Sequence, residues 1–430
     1  MISNNSPLVG SRRWHLVAMG LLLVSIAVYL HSSFYALSSG GDADVYRQWT
    51  VSQYVKQGID PYNLCLKALR HTYGITYGPD RMRLHDVRMW DLADAQVHPE
   101  DVHAVSALGL PVATYPPSAT FFLSTWLASL PGNWLTVVWL WINTGLLLLL
   151  GLELRRHVNL ALPVILAVLL IWRPTHEVIR TSQFCFLVFL CALAGLRLMD
   201  RRPWLAGLLF AVALLKPSLT LLFLCLPFVR RKWIALATPF VIHLAGALGL
   251  SAWLHTPLRV LLSEWLEIPR YFLQGAYTLQ EVFNGFGIEN TPAATIAVLV
   301  FFAAVLAWCW VHRSAPAEQL IAFLCLANLA WTYHERYDFV LLAFPLLGIV
   351  GRLMTGAKEG RTRDIAGSLA FLVLGIAMLD PVYGGITTAA RMLRWAGRVA
   401  VLLLFAATTW AVRKGGERTQ ATQEPLLSRN

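Results

Sequence analysis

The chain has 430 residues, of which 57% are hydrophobic and 14% charged, with a net charge of +11. A soluble globular chain carries about 25% charged residues, so this balance excludes a water-soluble domain. Because the basic residues sit at the ends of apolar runs, the positive charge reads as membrane topology and excludes a nucleic-acid partner.

In chain order the candidate spans are residues 14–37, 114–130, 134–154, 158–172, 183–199, 203–216, 218–229, 233–254, 292–311, 317–333, 337–351, 364–380 and 394–412. A bilayer core needs about 20 apolar residues per spanning helix. The runs at 158–172 and 218–229 are short enough to be half-helices, which membranes tolerate where protein or water covers the irregular backbone. The first run is too long for a signal-peptide core and is expected to stay as an anchor. Basic clusters at Arg12-Arg13, Arg201-Arg202, Arg230-Arg231-Lys232, His312-Arg313 and Arg413-Lys414 are assigned to the cytoplasm,. That assignment gives a transmembrane domain over 1–413 with outer loops 38–113 and 254–291, and a polar cytoplasmic tail over 414–430. Thirteen spans cannot leave both ends on one side, and Arg155-Arg156-His157 also argues for a cytoplasmic turn. Either 114–130 or 158–172 is therefore expected to be re-entrant. Cys65, Cys185, Cys191, Cys225, Cys309 and Cys325 lie almost entirely in apolar runs without CxxC spacing, and are read as small buried hydrophobes.

The first outer loop carries Asp42 and Asp44 just past the first span, ahead of Gly58-x-Asp60-Pro61-Tyr62. If a helix begins there, the spacing of Asp42 and Tyr46 puts both on one face and holds an acid at the lip of the bilayer. The other reading is that Asp42 and Asp44 cap that helix, whose first turn favours negative charge. Residues 44–57 read as an interfacial amphipathic helix,.

Further along, Tyr115-Pro116-Pro117 opens a span, Arg180 precedes Thr181-Ser182-Gln183, Lys216-Pro217 interrupts an apolar run, and His334-Glu335-Arg336-Tyr337-Asp338 joins two late spans. Ionisable groups at such positions are costly unless they face protein or water, which makes each a functional candidate. Lys216 can snorkel to the surface or offer a fixed positive charge to phosphate. His334 can carry a proton or contact phosphate, while Glu335, Arg336 and Asp338 can pair with one another at their turn. The loop histidines His71, His85, His98 and His103 lack metal-ligand spacing, and no metal site is expected.

Taken in order, these residues resemble the polytopic glycosyltransferases of the GT-C fold class, and within them glycosyltransferase family 87. That family includes polyprenol-phosphate-mannose-dependent α-mannosyltransferases and related arabinofuranosyltransferases. The resemblance rests on Asp42-x-x-x-Tyr46, Gly58-x-Asp60-Pro61-Tyr62, Tyr115-Pro116-Pro117, Ser182-Gln183, Lys216-Pro217, Arg230-Arg231-Lys232-Trp233 and the His334 turn leading into a span with Pro345.

It implies an all-α polytopic GT-C fold with about 11–13 transmembrane helices. It also implies an inverting transfer of a sugar, mannose first, from a polyprenyl-phosphate donor to a glycolipid or glycan acceptor. The active site would face the exterior of the plasma membrane, and no cofactor is implied beyond the lipid donor. By the same resemblance Asp42 is the general base, with Asp44 in reserve. Lys216, Arg180, His334 and Arg336 would bind the donor phosphate, and Tyr46, Tyr62, Tyr115 and Gln183 the substrates. The family usually has Gly-Gln where this chain has Ser182-Gln183, and a shorter first outer loop; both departures bear on the acceptor. The alternatives are a transporter or flippase for a lipid or glycan, which would show related halves and ionisable groups at the bilayer midplane, and an O-antigen-ligase-like enzyme.

Overall fold

The computed structural model describes residues 12–39, 44–76, 111–158, 160–268, 292–331 and 334–354. All regular structure among them is helical, since a helix satisfies its backbone polar groups within the segment. Helix α1 (Arg12–Ser39) is followed by α2 (Asp44–Lys56) and α3 (Pro61–Thr76), which lie in the 38–113 loop. Next come α4 (Pro117–Leu127), α5 (Gly132–Arg155), α6 (Leu162–Ile171), α7 (Arg173–Arg180), α8 (Cys185–Leu198) and α9 (Pro203–Ala213). A broken stretch made of α10 (Pro217–Thr220), a 3-10 turn (Leu221–Leu224) and α11 (Cys225–Val229) leads to α12 (Trp233–Trp253) and α13 (Leu258–Glu267). The last described elements are α14 (Pro292–Val311), α15 (Ala317–Asn328), a 3-10 helix (Arg336–Leu342) and α16 (Ala343–Met354).

Helices α5 and α12 are each long and apolar enough to cross a membrane. Leu148, Leu149 and Leu152 on α5, and Phe240, Val241 and Leu244 on α12, point outward. Large apolar side chains facing out all along a helix are what lipid requires. Helices α6 and α7 reach spanning length only together, and they meet at a 69° bend. Trp172 at the bend is extended, and Pro174 begins the second half without an amide donor,. The 158–172 run thus belongs to a bent pair, and the 114–130 run holds only the 11-residue α4, so neither candidate is a straight full crossing. Helices α1, at 28 residues, and α14, at 20, are also of spanning length, whereas α8, α9 and α15 have 14, 11 and 12 residues. The apolar runs expected at 364–380 and 394–412 lie outside the described residues.

Neighbouring helices pack in a continuous series: α8 on α9, α9 on α12, α12 on α4, and α4 on α2. Between α9 and α12 a side chain at Gly207 would come within 2.5 Å of Thr238 Cβ. Membrane helices approach closely through such small residues. Above this bundle Val51, Val55, Tyr62, Cys65, Leu66 and Leu69 form a second small core with Leu250, Leu254, Leu261 and Ile268. The described parts of the 38–113 and 254–291 loops therefore share one structure, joined by Asn63 Nδ2 donating to Glu264 Oε1 at 2.7 Å and by an Arg70–Glu267 ion pair at 2.7 Å. All six cysteines are free, and all but Cys225 are buried.

Candidate active site at the head of the first-loop helix

The motif Gly58-x-Asp60-Pro61-Tyr62 is a corner. Gly58 has φ +75 and closes α2, with its own N–H on the Val55 carbonyl and the Ile59 N–H on the Tyr54 carbonyl, both at 3.0 Å,. Asp60 Oδ1 then accepts the N–H groups of Tyr62 (2.9 Å) and Asn63 (3.2 Å) to cap α3, while Pro61 fills the first helical position. Tyr62 was expected to meet substrate, but it is fully buried. Its hydroxyl donates to the Tyr115 carbonyl at 2.8 Å and lies 2.6 Å from the Thr120 hydroxyl. Tyr62 therefore holds Tyr115 in place.

Tyr115 is held from the other side too, because its hydroxyl donates to Asp44 Oδ2 at 3.2 Å. Pro116 and Pro117 follow at the N-cap and first helical positions of α4. Asp44 opens α2, and its N–H donates to the Thr181 carbonyl at 2.7 Å. Desolvation pushes the Asp44 carboxyl above its usual range, against the opposing pull of Arg47, Lys216 and the Tyr115 hydroxyl,. A helix forms over Asp44–Lys56, but it is packed on α4 and α5 with Val45, Gln48, Thr50, Val51, Ser52, Tyr54 and Val55 buried, where an interfacial helix was expected over 44–57. Its orientation is fixed further by Trp49 Nε1 on the Leu130 carbonyl (2.8 Å) and Gln53 Nε2 on the Ala128 carbonyl (3.0 Å). Tyr46 lies 5.2 Å from the Trp49 ring, half-buried. Asp42 lies outside the described residues, two positions ahead of the anchored Asp44.

The carbonyl that receives Asp44 belongs to the end of α7. There Ser182 N–H bonds the Ile179 carbonyl (3.2 Å) and Gln183 N–H the Val178 carbonyl (2.9 Å), with Ser182 at φ +52. This is a Schellman cap, whose left-handed position favours glycine; the glycine usual in the resembled family has its physical reason here. Ser182→Gly is expected to raise stability by about 1 kcal/mol, the cost of a side chain in the left-handed region. Thermal melting with unchanged turnover is the check. Arg180, expected at a phosphate, donates twice to Glu177 Oε2 at 3.0 and 2.7 Å, with its guanidinium 5.5 Å from the centre of the Tyr35 ring.

Gln183 is buried, and Lys216 Nζ stands 3.5 Å from its Oε1. Lys216 caps α10, where Pro217 breaks the helix and the Thr220 hydroxyl donates to the freed Ala213 carbonyl at 2.6 Å,. The lysine does not snorkel. Its side chain is 14% exposed, pairs with Asp338 Oδ1 at 2.6 Å and lies 4.3 Å above the Tyr337 ring.

The His334 turn also departs from its sequence reading. Asp338 pairs across the fold with Lys216 instead of with Arg336 beside it. His334 is buried, with Nδ1 3.1 Å from Asp338 Oδ2 and Nε2 2.7 Å from the Asn328 carbonyl. Both ring nitrogens are thus engaged within the protein, Nδ1 by Asp338 and Nε2 by the Asn328 carbonyl, where a phosphate contact was expected. Glu335 and Asp338 form a reciprocal capping box around the start of the 3-10 helix, and Arg336 stands half-buried beside them.

Burial and the Asp338 charge push Glu335 up to about 7, against the charges of Lys216, Arg336 and Arg47. Between about pH 4.5 and 7 the folded chain keeps a proton that the unfolded chain has released, so stability falls as pH rises through that window. Glu335→Gln retains an acceptor for the cap. Its melting temperature is expected to gain on the native chain's between pH 4.5 and 7.5,; parallel curves would remove Glu335 as the titrating group.

The fold thus brings Asp44, Tyr115, Gln183 and Lys216 together with the 334–338 turn, and leaves Tyr62 and His334 as supports. Sequence reasoning missed Asp338 as the partner of Lys216 and missed Arg47. The one available signal was the four-residue spacing of His334 and Asp338, which puts both on one side of a helical turn. No curated protein and no solved structure matches the chain. The family model described as glycosyltransferase family 87 matches residues 113–345, a stretch that contains Tyr115, Gln183, Lys216 and the 334–338 turn. With more than half of its length so matched, on an all-helical frame with membrane-spanning helices, the chain belongs to glycosyltransferase family 87 and is a membrane enzyme that transfers glycosyl groups.

Proposed function

We propose that the enzyme moves a sugar, mannose in the first instance, from a polyprenyl-phosphate donor to a lipid or glycan acceptor at the outer face of the plasma membrane, with inversion. The observation that carries this reading is the placement of a carboxylate-bearing helix start against a buried lysine. The Asp44 carboxylate is tied to Tyr115 and its N–H to the Thr181 carbonyl, two residues before Gln183, which Lys216 Nζ meets at 3.5 Å. Asp42 lies two residues before that anchored point, within about 7 Å of chain.

In this reading Asp42 takes the proton of the acceptor hydroxyl, and the resulting oxygen attacks the anomeric carbon from the face opposite the phosphate. The bond to the phosphate oxygen breaks, and its electron pair stays on the departing polyprenyl phosphate. Lys216, kept charged and in place by Asp338, stabilises that developing charge, with Arg180 and Arg336 at the rim. One displacement turns a β-linked donor into an α-linked product. Tyr46, Tyr115 and Gln183 line the approach.

The test is the purified enzyme in lipid nanodiscs, given radiolabelled polyprenyl-phosphate mannose or nucleotide-linked mannose with a membrane-glycolipid extract as acceptor. Release of polyprenyl monophosphate with an α-linked product is expected from the first donor alone. Transfer from the nucleotide sugar alone would overturn the reading.

A further inference from the structure

Helix α2 carries a second feature that the reaction as derived leaves unused. Arg47 follows Asp44 by three residues and Gln48 by four, so both stand one turn further along the side of α2 that carries Asp44. Among the described residues the Arg47 guanidinium makes no hydrogen bond or ion pair, although the side chain is half-buried. Gln48 is 2% exposed, and its Nε2 has no hydrogen-bond partner. A buried amide donor without an acceptor is costly in a finished structure, and it marks a place where an acceptor is supplied from outside.

The neighbouring cations are already committed. Lys216 is 2.6 Å from Asp338, and Arg180 is forked onto Glu177. Arg47 sits one turn after Asp44, whose carboxylate meets Tyr115 and whose N–H meets the Thr181 carbonyl, so it is carried at the head of α2 beside these contacts. The backbone that carries it is fixed by the Asp44, Trp49 and Gln53 hydrogen bonds.

We infer that Arg47, with the Gln48 amide beside it, is a ligand of the phosphate in the lipid donor. This rests on the donor class proposed above. A guanidinium presents two parallel N–H groups to a phosphate, a geometry that Lys216 does not offer. Lys216 then supplies a fixed charge from within the protein, and Arg47 supplies the hydrogen bonds that orient the phosphate oxygens.

The test uses the full-length enzyme and phosphatidylcholine vesicles containing either C55 polyprenyl monophosphate or phosphatidic acid, with inorganic phosphate as a third probe. Arg47→Gln is expected to weaken polyprenyl monophosphate binding about tenfold or more, the loss of a charged hydrogen bond. Arg47→Lys should restore part of it, and Gln48→Ala should give a smaller loss. Arg201→Gln, at the other end of α8, should change nothing. In turnover, Arg47→Gln should raise KM for the donor and leave KM for the acceptor unchanged.

If the native enzyme binds the polyprenyl lipid and Arg47→Gln binds it equally well, the inference fails while the donor class stands. If the native enzyme binds none of the probes, the donor class itself fails and takes the inference with it. An unchanged affinity with a shifted pH profile of turnover would make Arg47 a tuner of Asp44, and equal loss of phosphatidic acid would make it a general lipid-headgroup contact. Either result overturns the assignment.

Discussion

Asp42→Asn is expected to lower transfer by about 10²–10⁴-fold, the contribution of a positioned general base, with no change in melting temperature. Asn keeps the volume of the side chain and removes its ability to take a proton, so initial rates measured beside a thermal melt separate chemistry from folding. Asp44→Asn is expected to retain measurable turnover. Its amide oxygen still accepts from the Tyr115 hydroxyl, and the Thr181 contact uses the backbone N–H. It also removes a carboxylate whose charged form desolvation disfavours. If Asp44→Asn is the inactive variant and Asp42→Asn the active one, the base is Asp44 and the anchored carboxylate does the chemistry itself.

Lys216→Met is expected to cost about 3–5 kcal/mol of stability, because it strips the ammonium from a carboxylate that the fold keeps in the interior. The Asp338 side chain is 3% exposed and would be left with His334. Asp338→Leu should cost a similar amount by stranding the lysine. The double variant Lys216→Met with Asp338→Leu should recover most of the stability, since apolar residues of similar size replace a buried pair at little cost. Activity should not return with it. Donor KM should rise more than acceptor KM in any single variant that folds. Equal losses for both substrates, or recovery of activity in the double variant, would assign the pair a purely structural role.

The sequence was legible where a local rule acts within a few residues. The motif at 58–62 could be located from Gly58 and Pro61, because a left-handed helix end and a first helical position have strong residue preferences. The break at Lys216-Pro217 was equally plain, since proline removes a donor wherever it stands. What those residues do once folded was less visible. Tyr62 was expected to bind substrate, and only the approach of α4 shows its hydroxyl closed on Tyr115 and Thr120. His334 looked like a phosphate contact, and its two nitrogens are instead consumed by Asp338 and Asn328.

By itself, then, the sequence determined a polytopic helical membrane chain, the breaks in its helices and the family it resembles. These depend on composition, short-range backbone preferences and ordered motifs, all of which are written along the chain. Tertiary structure decided the partners. Asp44 meets Tyr115 across 71 positions and Lys216 meets Asp338 across 122, and in a single sequence no periodicity links residues so far apart. Charge pairing in a low-dielectric interior follows distance in space, so the commitment of Lys216 to Asp338 is fixed only when the helices pack.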